Sequence, residues 1–379
     1  MKVKQARDDF LVEEVLALPP DPNGPFAVYR LEKEGIGTLE ALRVLAGVWR
    51  LKRDRLSFAG LKDRHGRTVQ TITVRGGPAR DYEGRGFAVR HLGASRRPAD
   101  RRALRGNRFR LVLRDLSAEE ADRVVARARE VARHGLPNYY DDQRFGSLRG
   151  TRGEFVARAL LGGDAEGALR LAIASPARED RSRLKARRRR LAERWGRWEE
   201  LAGGLEPSPE RRVCALLARG ASFAEAYRQV DEDLRSLHLS AWQAHVFNDG
   251  LRRAVAEGPT HPGLDGPYVF FEGDPGDLRD VAIPLACARA EPHPLLDAAL
   301  AEEGVTREAL ATQPFRRGLR SAVVVPEEVE VGEPRRDDLN AGRHALPLAF
   351  VLGPGAYATM VVKRCTYDVR PRGRARRGR

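Results

Sequence analysis

The sequence predicts an α+β fold in which a largely helical block interrupts one sheet-bearing domain. Three observations carry that reading. Strand-like alternation and helix-like periodicity take turns up to about residue 150. From 151 to 258 the pattern is almost wholly helical, and strand-like runs return at 321–331 and 347–363. Sheet elements, then helices, then sheet elements again describe a helical insertion whose flanking parts complete a single sheet. The expected division is 1–152 with 322–379 as the sheet domain, and 153–321 as the insert.

The elements follow in order. Residues 26–33 (FAVYRLEK) alternate like a half-buried strand. The stretch TLEALRVLAGVW reads as a helix, with Thr38 as N-cap and Leu42, Leu45 and Trp49 on one face. A β-rich run, TVQTITVRGG, ends at Gly76 and Gly77. The tetrad Lys62–Asp63–Arg64–His65 is therefore expected on a loop between a helix and a strand. Residues 107–114 alternate Phe109, Leu111 and Leu113 against Arg108, Arg110 and Arg114. The next helix opens on a capping box, Ser117 with Glu120, and stops at Gly135 and Pro137. Ser222 with Glu225, and Ser240 with Gln243, have the same start signature. Residues 258–295, rich in Pro and Gly, read as loops or short strands.

Composition narrows the function. The 379 residues hold 68 Lys+Arg against 53 Asp+Glu, a formal charge of +15. That excess favours a polyanionic partner, nucleic acid above all. The N-terminus has no unbroken apolar region of the kind a signal peptide needs, and no run approaches the ~18–20 apolar residues that span a bilayer. Three scattered cysteines, Cys214, Cys287 and Cys365, suggest reduced thiols and a cytoplasmic setting. Cys/His pairs at ligand spacing, GxGxxG, Walker, HExxH and nucleophile-elbow patterns are missing from the sequence, so neither a metal nor a nucleotide cofactor is expected.

The chemistry-bearing stretches are few. In FAGLKDRHGRTVQT (58–71), Asp63 stands among Lys62, Arg64, His65 and Arg67. Cations at that range keep a carboxylate ionised, as a nucleophile, a base or a surface ion-pair partner. In LPNYYDDQRFG (136–146), Asn138, Tyr139, Tyr140, Gln143, Arg144 and Phe145 crowd into one turn-rich piece. Aromatic faces stack on unpaired bases, amides read base edges, and Arg holds phosphate or carboxylate. Tyr139 and Phe145 also suit a core. LHLSAWQAHVFND (237–249) reads mostly as core, with Gln243 and Asn248 as candidates. Residues 181–197 would make a strongly cationic helix, and the tail from about 369 is Arg and Gly with little to bury; both could meet phosphates.

At these residues the chain resembles the TruD family of tRNA pseudouridine synthases. The resemblance runs through DDFLVEE (8–14), FAGLKDRHGRTVQ (58–70), LRGNRF (104–109), NYYDDQRFG (138–146), LSAWQAHVFN (239–248) and GPGAYATMVVKR (353–364). It implies a pseudouridine-synthase catalytic domain, α+β with a central, mostly antiparallel sheet and flanking helices, plus the family's helical insertion. It implies isomerisation of uridine in tRNA, usually uridine 13, without a cofactor. Asp63 takes the place of the essential aspartate. Phe10, Asn138 and Tyr140 match substrate-side positions, and Lys62 and Arg144 are counted with them. Tyr140 stands where Phe is usual, Asp141 where Gly is usual, and Gly37 where Asn is usual. A monomer is expected. The rival classes are a non-catalytic RNA-binding protein and an RNA hydrolase using Lys62, Asp63 and His65.

Overall fold

In the computed structural model, which describes residues 1–62, 67–148, 153–176, 180 and 182–369, the chain forms two units. Met1–Leu136 and Val324–Arg379 make the first; Pro137–Val323 make the second. The sequence pattern placed the crossings at 152/153 and 321/322. Residues 137–148 fall in the second unit because their turn is tied to a long helix there, as shown below.

The first unit begins with β1 (Phe10–Leu16), β2 (Phe26–Lys33), α1 (Thr38–Val48), β3 (Leu56–Phe58), β4 (Arg67–Arg75), β5 (Tyr82–Gly84), β6 (Phe87–Ser95), β7 (Leu104–Leu116) and α2 (Ala118–His134). After β8 (Leu136–Pro137), the second unit runs through α3 (Val156–Leu161), α4 (Ala165–Ala174), α5 (Ser182–Glu193), α6 (Trp198–Gly204), α7 (Pro209–Ala218), α8 (Phe223–Arg228) and α9 (Glu232–Val255). It ends with β9 (Thr260–His261), β10 (Tyr268–Val269), β11 (Ala282–Pro284), α10 (Pro294–Glu302), α11 (Arg307–Leu310), β12 (Leu319–Ser321) and β13 (Val323–Val324). The chain returns to the first unit as β14 (Glu327–Val331), β15 (Arg335–Arg336), β16 (His344–Leu352) and α12 (Ala358–Cys365).

The first unit is built on one ten-stranded sheet, ordered β14-β16-β7-β1-β4-β2-β6-β5, with β15 on β16 and β3 on β4. β1 and β4 pair in parallel; the other pairs are antiparallel. The α+β class holds. Register aligns Glu14 with Asn107 on β7, and Val12 with Thr68 on β4. Gln70 aligns with Leu31. Because side chains alternate along a strand, Glu14, Asn107, Gln70 and Leu31 share one face. α1 covers that face through Ala41, Leu42 and Leu45, packed on Tyr29, Leu31, Ile72 and Val74. The C-terminal return is fastened by charge. Arg114 is buried and bonds Asp9 (2.7 Å), Asp337 (2.9 Å) and Asp338 (2.5 Å). Arg114, which alternates with the apolar side chains of β7, thus pairs with acids distant in sequence.

The second unit has its own core. Leu169, Ile173, Leu191, Leu201, Val213, Leu217 and Tyr227 close it, from the five helices α4 to α8. The Ser222–Glu225 box starts α8 as expected. Ser240 does not start a helix: it lies inside the 24-residue α9, whose N-cap is Asp231, and its hydroxyl bonds the Leu237 carbonyl at 3.1 Å. The strand-like run 347–363 also divides, into β16 and, after a turn at 353–357, α12.

Candidate active site

The loop that carries the tetrad joins two strands, β3 and β4, rather than a helix and a strand. Asp63, Arg64, His65 and Gly66 lie outside the described residues. Both of their flanks are placed. After them, Arg67 opens β4 in register with Leu11 of β1. Before them, residues 60–62 are held at five points. Gln70 Nε2 donates to the Gly60 carbonyl (3.3 Å), and the Lys62 amide donates to Thr38 Oγ1 (3.2 Å). Lys33 Nζ donates to the Lys62 carbonyl (3.2 Å) and to that of Ile36 (3.1 Å). The Lys62 ammonium reaches Asn107 Oδ1 at 2.7 Å and Glu14 Oε1 at 2.9 Å. Thr38 is thus not the N-cap of α1. Gly37 fills that position without a side-chain bond, and the Thr38 hydroxyl instead joins Gln70 (2.8 Å) to the loop.

These contacts set the electrostatics beside Asp63. The Glu14 side chain is fully buried and that of Lys62 is 12% exposed. Burial raises the Glu14 carboxyl above its ordinary value, and the Lys62 ammonium opposes this only in part. The pair is a close ion contact, and the Thr71 backbone also favours the charged form of the carboxylate. Such a pair costs desolvation that its attraction does not fully return. What it secures is the position of Lys62. Phe10 sits apart from this mount, four residues before Glu14 and so about 13 Å along β1. Its ring meets Phe109 (6.1 Å) and lies under Lys4 Nζ (3.9 Å).

In the second unit, the 138–146 piece divides by alternation. Tyr139 is fully buried against Tyr268 (5.5 Å) and Phe270 (6.5 Å), and Phe145 is buried against Phe155. Asn138 and Tyr140 remain partly exposed. Asp142 Oδ1 accepts from Tyr268 OH (2.8 Å) and the Leu264 amide (2.7 Å), which closes the turn. Asp141 has φ −82°, ordinary extended backbone, so replacing a glycine there carries no conformational strain. The Tyr140 ring meets Phe247 edge-on at 5.5 Å, and Arg144 and Arg320 lie over it at 5.7 and 4.1 Å.

Of the two α9 candidates, Asn248 supports this piece and Gln243 ties other backbone. Asn248 is fully buried and brackets Tyr140: its Oδ1 accepts from the Tyr140 amide (2.8 Å), and its Nδ2 donates to the Tyr140 carbonyl (2.9 Å). Gln243 donates to the carbonyls of Ala286 (2.8 Å) and Arg316 (2.9 Å). Both act through backbone rather than toward solvent. Further along, His245 lies between Asp265 (2.6 Å) and Glu303 (3.2 Å). Burial disfavours its charge, but those two carboxylates outweigh burial and push its pKa up to about 9.

The supporting roles of Thr38, Gln70, Glu14, Asn107 and Arg320 escaped the sequence reading. Glu14, Gln70 and Asn107 do lie inside stretches that carry the family resemblance, so the signal was present without a role attached. Each unit carries its own group of chemistry-bearing side chains. The first holds Lys62 at the end of an anchored segment; the second presents a ring flanked by amide and guanidinium groups. Enzymes that modify a nucleobase in RNA use groups of this kind.

Comparison with known proteins identifies the family. Residues 1–284 match the description tRNA pseudouridine synthase D (TruD). The tRNA pseudouridine synthase D of Geobacter sulfurreducens is 32% identical, over 95% of this chain and 92% of that one. Its namesake in Aquifex aeolicus is 27% identical, over 96% and 97%. A solved Methanosarcina mazei chain described as tRNA pseudouridine synthase D shares the fold with a TM-score of 0.74, at 24% identity, over 96% of this chain and 92% of that chain. The chain belongs to the TruD family of tRNA pseudouridine synthases, which are isomerases.

Proposed function

We propose that the chain converts uridine to pseudouridine in tRNA, with uridine 13 as the target and no cofactor, and that Asp63 is the catalytic residue. The target nucleotide leaves the stack, at an unstacking cost of about a few kcal/mol. Tyr140 stacks on the uracil, Asn138 and Arg144 hold the nucleotide's polar edges, and Phe10 contributes apolar contact. The Asp63 carboxylate starts cleavage of the C1′–N1 bond, either by attack on C1′, to be displaced when C5 bonds there, or by removal of the C2′ proton, which it returns to C2′ as C5 bonds to C1′. The freed uracil turns, C5 bonds to C1′, the C5 proton leaves to solvent and N1 takes up a proton. Atoms balance, so product and substrate have equal mass.

The observation that carries the reading is the anchoring of Gly60 and Lys62 immediately before Asp63. A segment tied by side chains from four strands and a helix is costly for a surface turn and suited to a group that must be placed within fractions of an ångström. Charge on α5 supports the partner. Arg183 and Arg187 pair with Glu206 and Glu210, and Arg188 is buried on Asp180 and the Ser175 carbonyl. Arg189 and Arg190 are exposed with no ion-pair partner among the described residues, so they are available to phosphates. The test is an unmodified tRNA transcript tritiated at uracil C5. The proposal predicts tritium release and pseudouridine mapped at position 13; a shortened RNA, or intact uridine with bound protein, would contradict it.

A further inference from the structure

We propose that Arg320 is a positioning residue for this isomerisation, one that fixes the Asn138 carboxamide and the Tyr140 ring as a single receiving surface. The inference rests on the reading above and assigns a part to a residue outside every motif discussed so far.

Arg320 lies on β12, in register with Ile283 of β11. Its guanidinium makes two kinds of contact at once. In its plane, Nε donates to the Asn138 carbonyl (2.9 Å), and Nη2 donates to Asn138 Oδ1 (2.6 Å) and the Tyr139 carbonyl (3.3 Å). Over its face, Cζ stands 4.1 Å from the centre of the Tyr140 ring and 5.5 Å from that of Phe247. The strand that bears it also holds the other half of the amide: Asn138 Nδ2 donates to the Ser321 carbonyl at 3.0 Å, and the Asn138 amide donates to the Ala322 carbonyl at 2.7 Å.

This arrangement fixes which way the carboxamide points. Turning it over would set an NH2 against the guanidinium, donor against donor, and its oxygen against the Ser321 carbonyl, acceptor against acceptor. Asn138 therefore presents one defined N–H and one defined lone pair for further bonding. The same cation lies on the Tyr140 ring. With Tyr139 turned into the core between them, residues 138 and 140 are held to one side of the chain by one planar group. Lysine cannot replace it, because a point charge lacks both the forked donors and the stacking face.

The test uses the full chain with Arg320→Lys, Asn138→Ala and the double variant, each assayed for tRNA affinity, turnover and melting temperature. Arg320→Lys should lower kcat by about 100-fold, the scale of a 1 Å misplacement. tRNA affinity should stay within about threefold, since positioning is lost and phosphate contact is not. The double variant should lose no more than the worse single variant, because both changes remove one arrangement. A kcat within twofold of wild type in Arg320→Lys, or losses that multiply in the double variant, would overturn the proposal. A second readout needs no RNA. Asn138 is one of five asparagines in the chain, so ¹⁵N-asparagine labelling resolves its side-chain amide. That signal should shift and broaden in Arg320→Lys while the melting temperature holds. An unchanged signal would overturn the positioning role even if the wild-type protein made no pseudouridine, and this separates failure of the inference from failure of the proposed reaction.

Discussion

Replacing Glu14 with glutamine should cost this protein far more in turnover than in stability. The structure gives both sides of the balance. The variant removes a charge-assisted contact to Lys62 at 2.9 Å, worth about 1.5–3 kcal/mol. It also removes a carboxylate whose charge burial disfavours, shown by its raised pKa, and so recovers a desolvation cost of similar size. The Lys62 ammonium keeps Asn107 at 2.7 Å and is not left without a partner. The net loss of stability should then be no more than about 1–2 kcal/mol. Turnover has no such compensation. Lys62 adjoins Asp63, the proposed catalytic residue, and a shift of about 1 Å at a reacting group is worth about 100-fold in rate. Urea unfolding and tritium release from 5-tritiated tRNA measure the two quantities on the same preparation. A variant that loses about 4 kcal/mol, or that keeps wild-type turnover, would refute the reasoning.

Other consequences are open to direct measurement. Asn248→Ala leaves the Tyr140 amide and carbonyl without their buried partner, and should destabilise the protein by about 2–4 kcal/mol in urea unfolding. The raised pKa of His245 makes its ion pairs a stabilising contribution that is complete below its unfolded value of 6.5 and is lost as pH rises through about 9. The amount is about 3 kcal/mol at most, and unfolding followed by tryptophan fluorescence should show that slope between pH 7 and 9.5 in wild type and not in His245→Gln. Asp337 behaves in the opposite sense. Despite burial, hydrogen bonds from the Asp115 and Leu339 amides, Asn340 and Arg114 hold its pKa near 2. Its contribution should persist above the ordinary carboxylate value and fade as pH falls toward 2, a trend absent in Asp337→Asn. Converting Arg189 and Arg190 to glutamine should reduce the salt dependence of tRNA binding by about 1.5–2 in log–log slope, while leaving turnover at saturating tRNA unchanged.

Local signals were legible in the sequence wherever one element decides them. β2 runs Phe26–Lys33 as its alternation indicated, and α2 carries the Ser117–Glu120 box and the Gly135 stop. The failures share a cause. Ser240 has the residue spacing of a helix start, but an uninterrupted 24-residue helix leaves no free amides there to cap. Thr38 looks like a cap by position, yet its hydroxyl is taken by Gln70 and Lys62, partners 32 and 24 residues away. The site shows the same division. Lys62, Asn138 and Tyr140 stood out by residue type, and Tyr139 and Phe145 fell to the core as their apolar character allowed. The groups that hold them were not legible. Glu14, Asn107, Gln70 and Arg320 acquire their roles only from strand register and from carbonyls distant in sequence, which neither periodicity nor composition encodes. Asp141 illustrates the converse. It stands where the resemblance has Gly, and its ordinary backbone angle carries no strain.

The central claim is the proposal that the Asp63 carboxylate, next in sequence to the anchored Lys62, begins the cleavage of the glycosidic bond. Asp63→Asn removes the charge and almost nothing of the shape. The account predicts that this variant binds tRNA with unchanged affinity and releases no tritium from 5-tritiated uridine; release at the wild-type rate would contradict it.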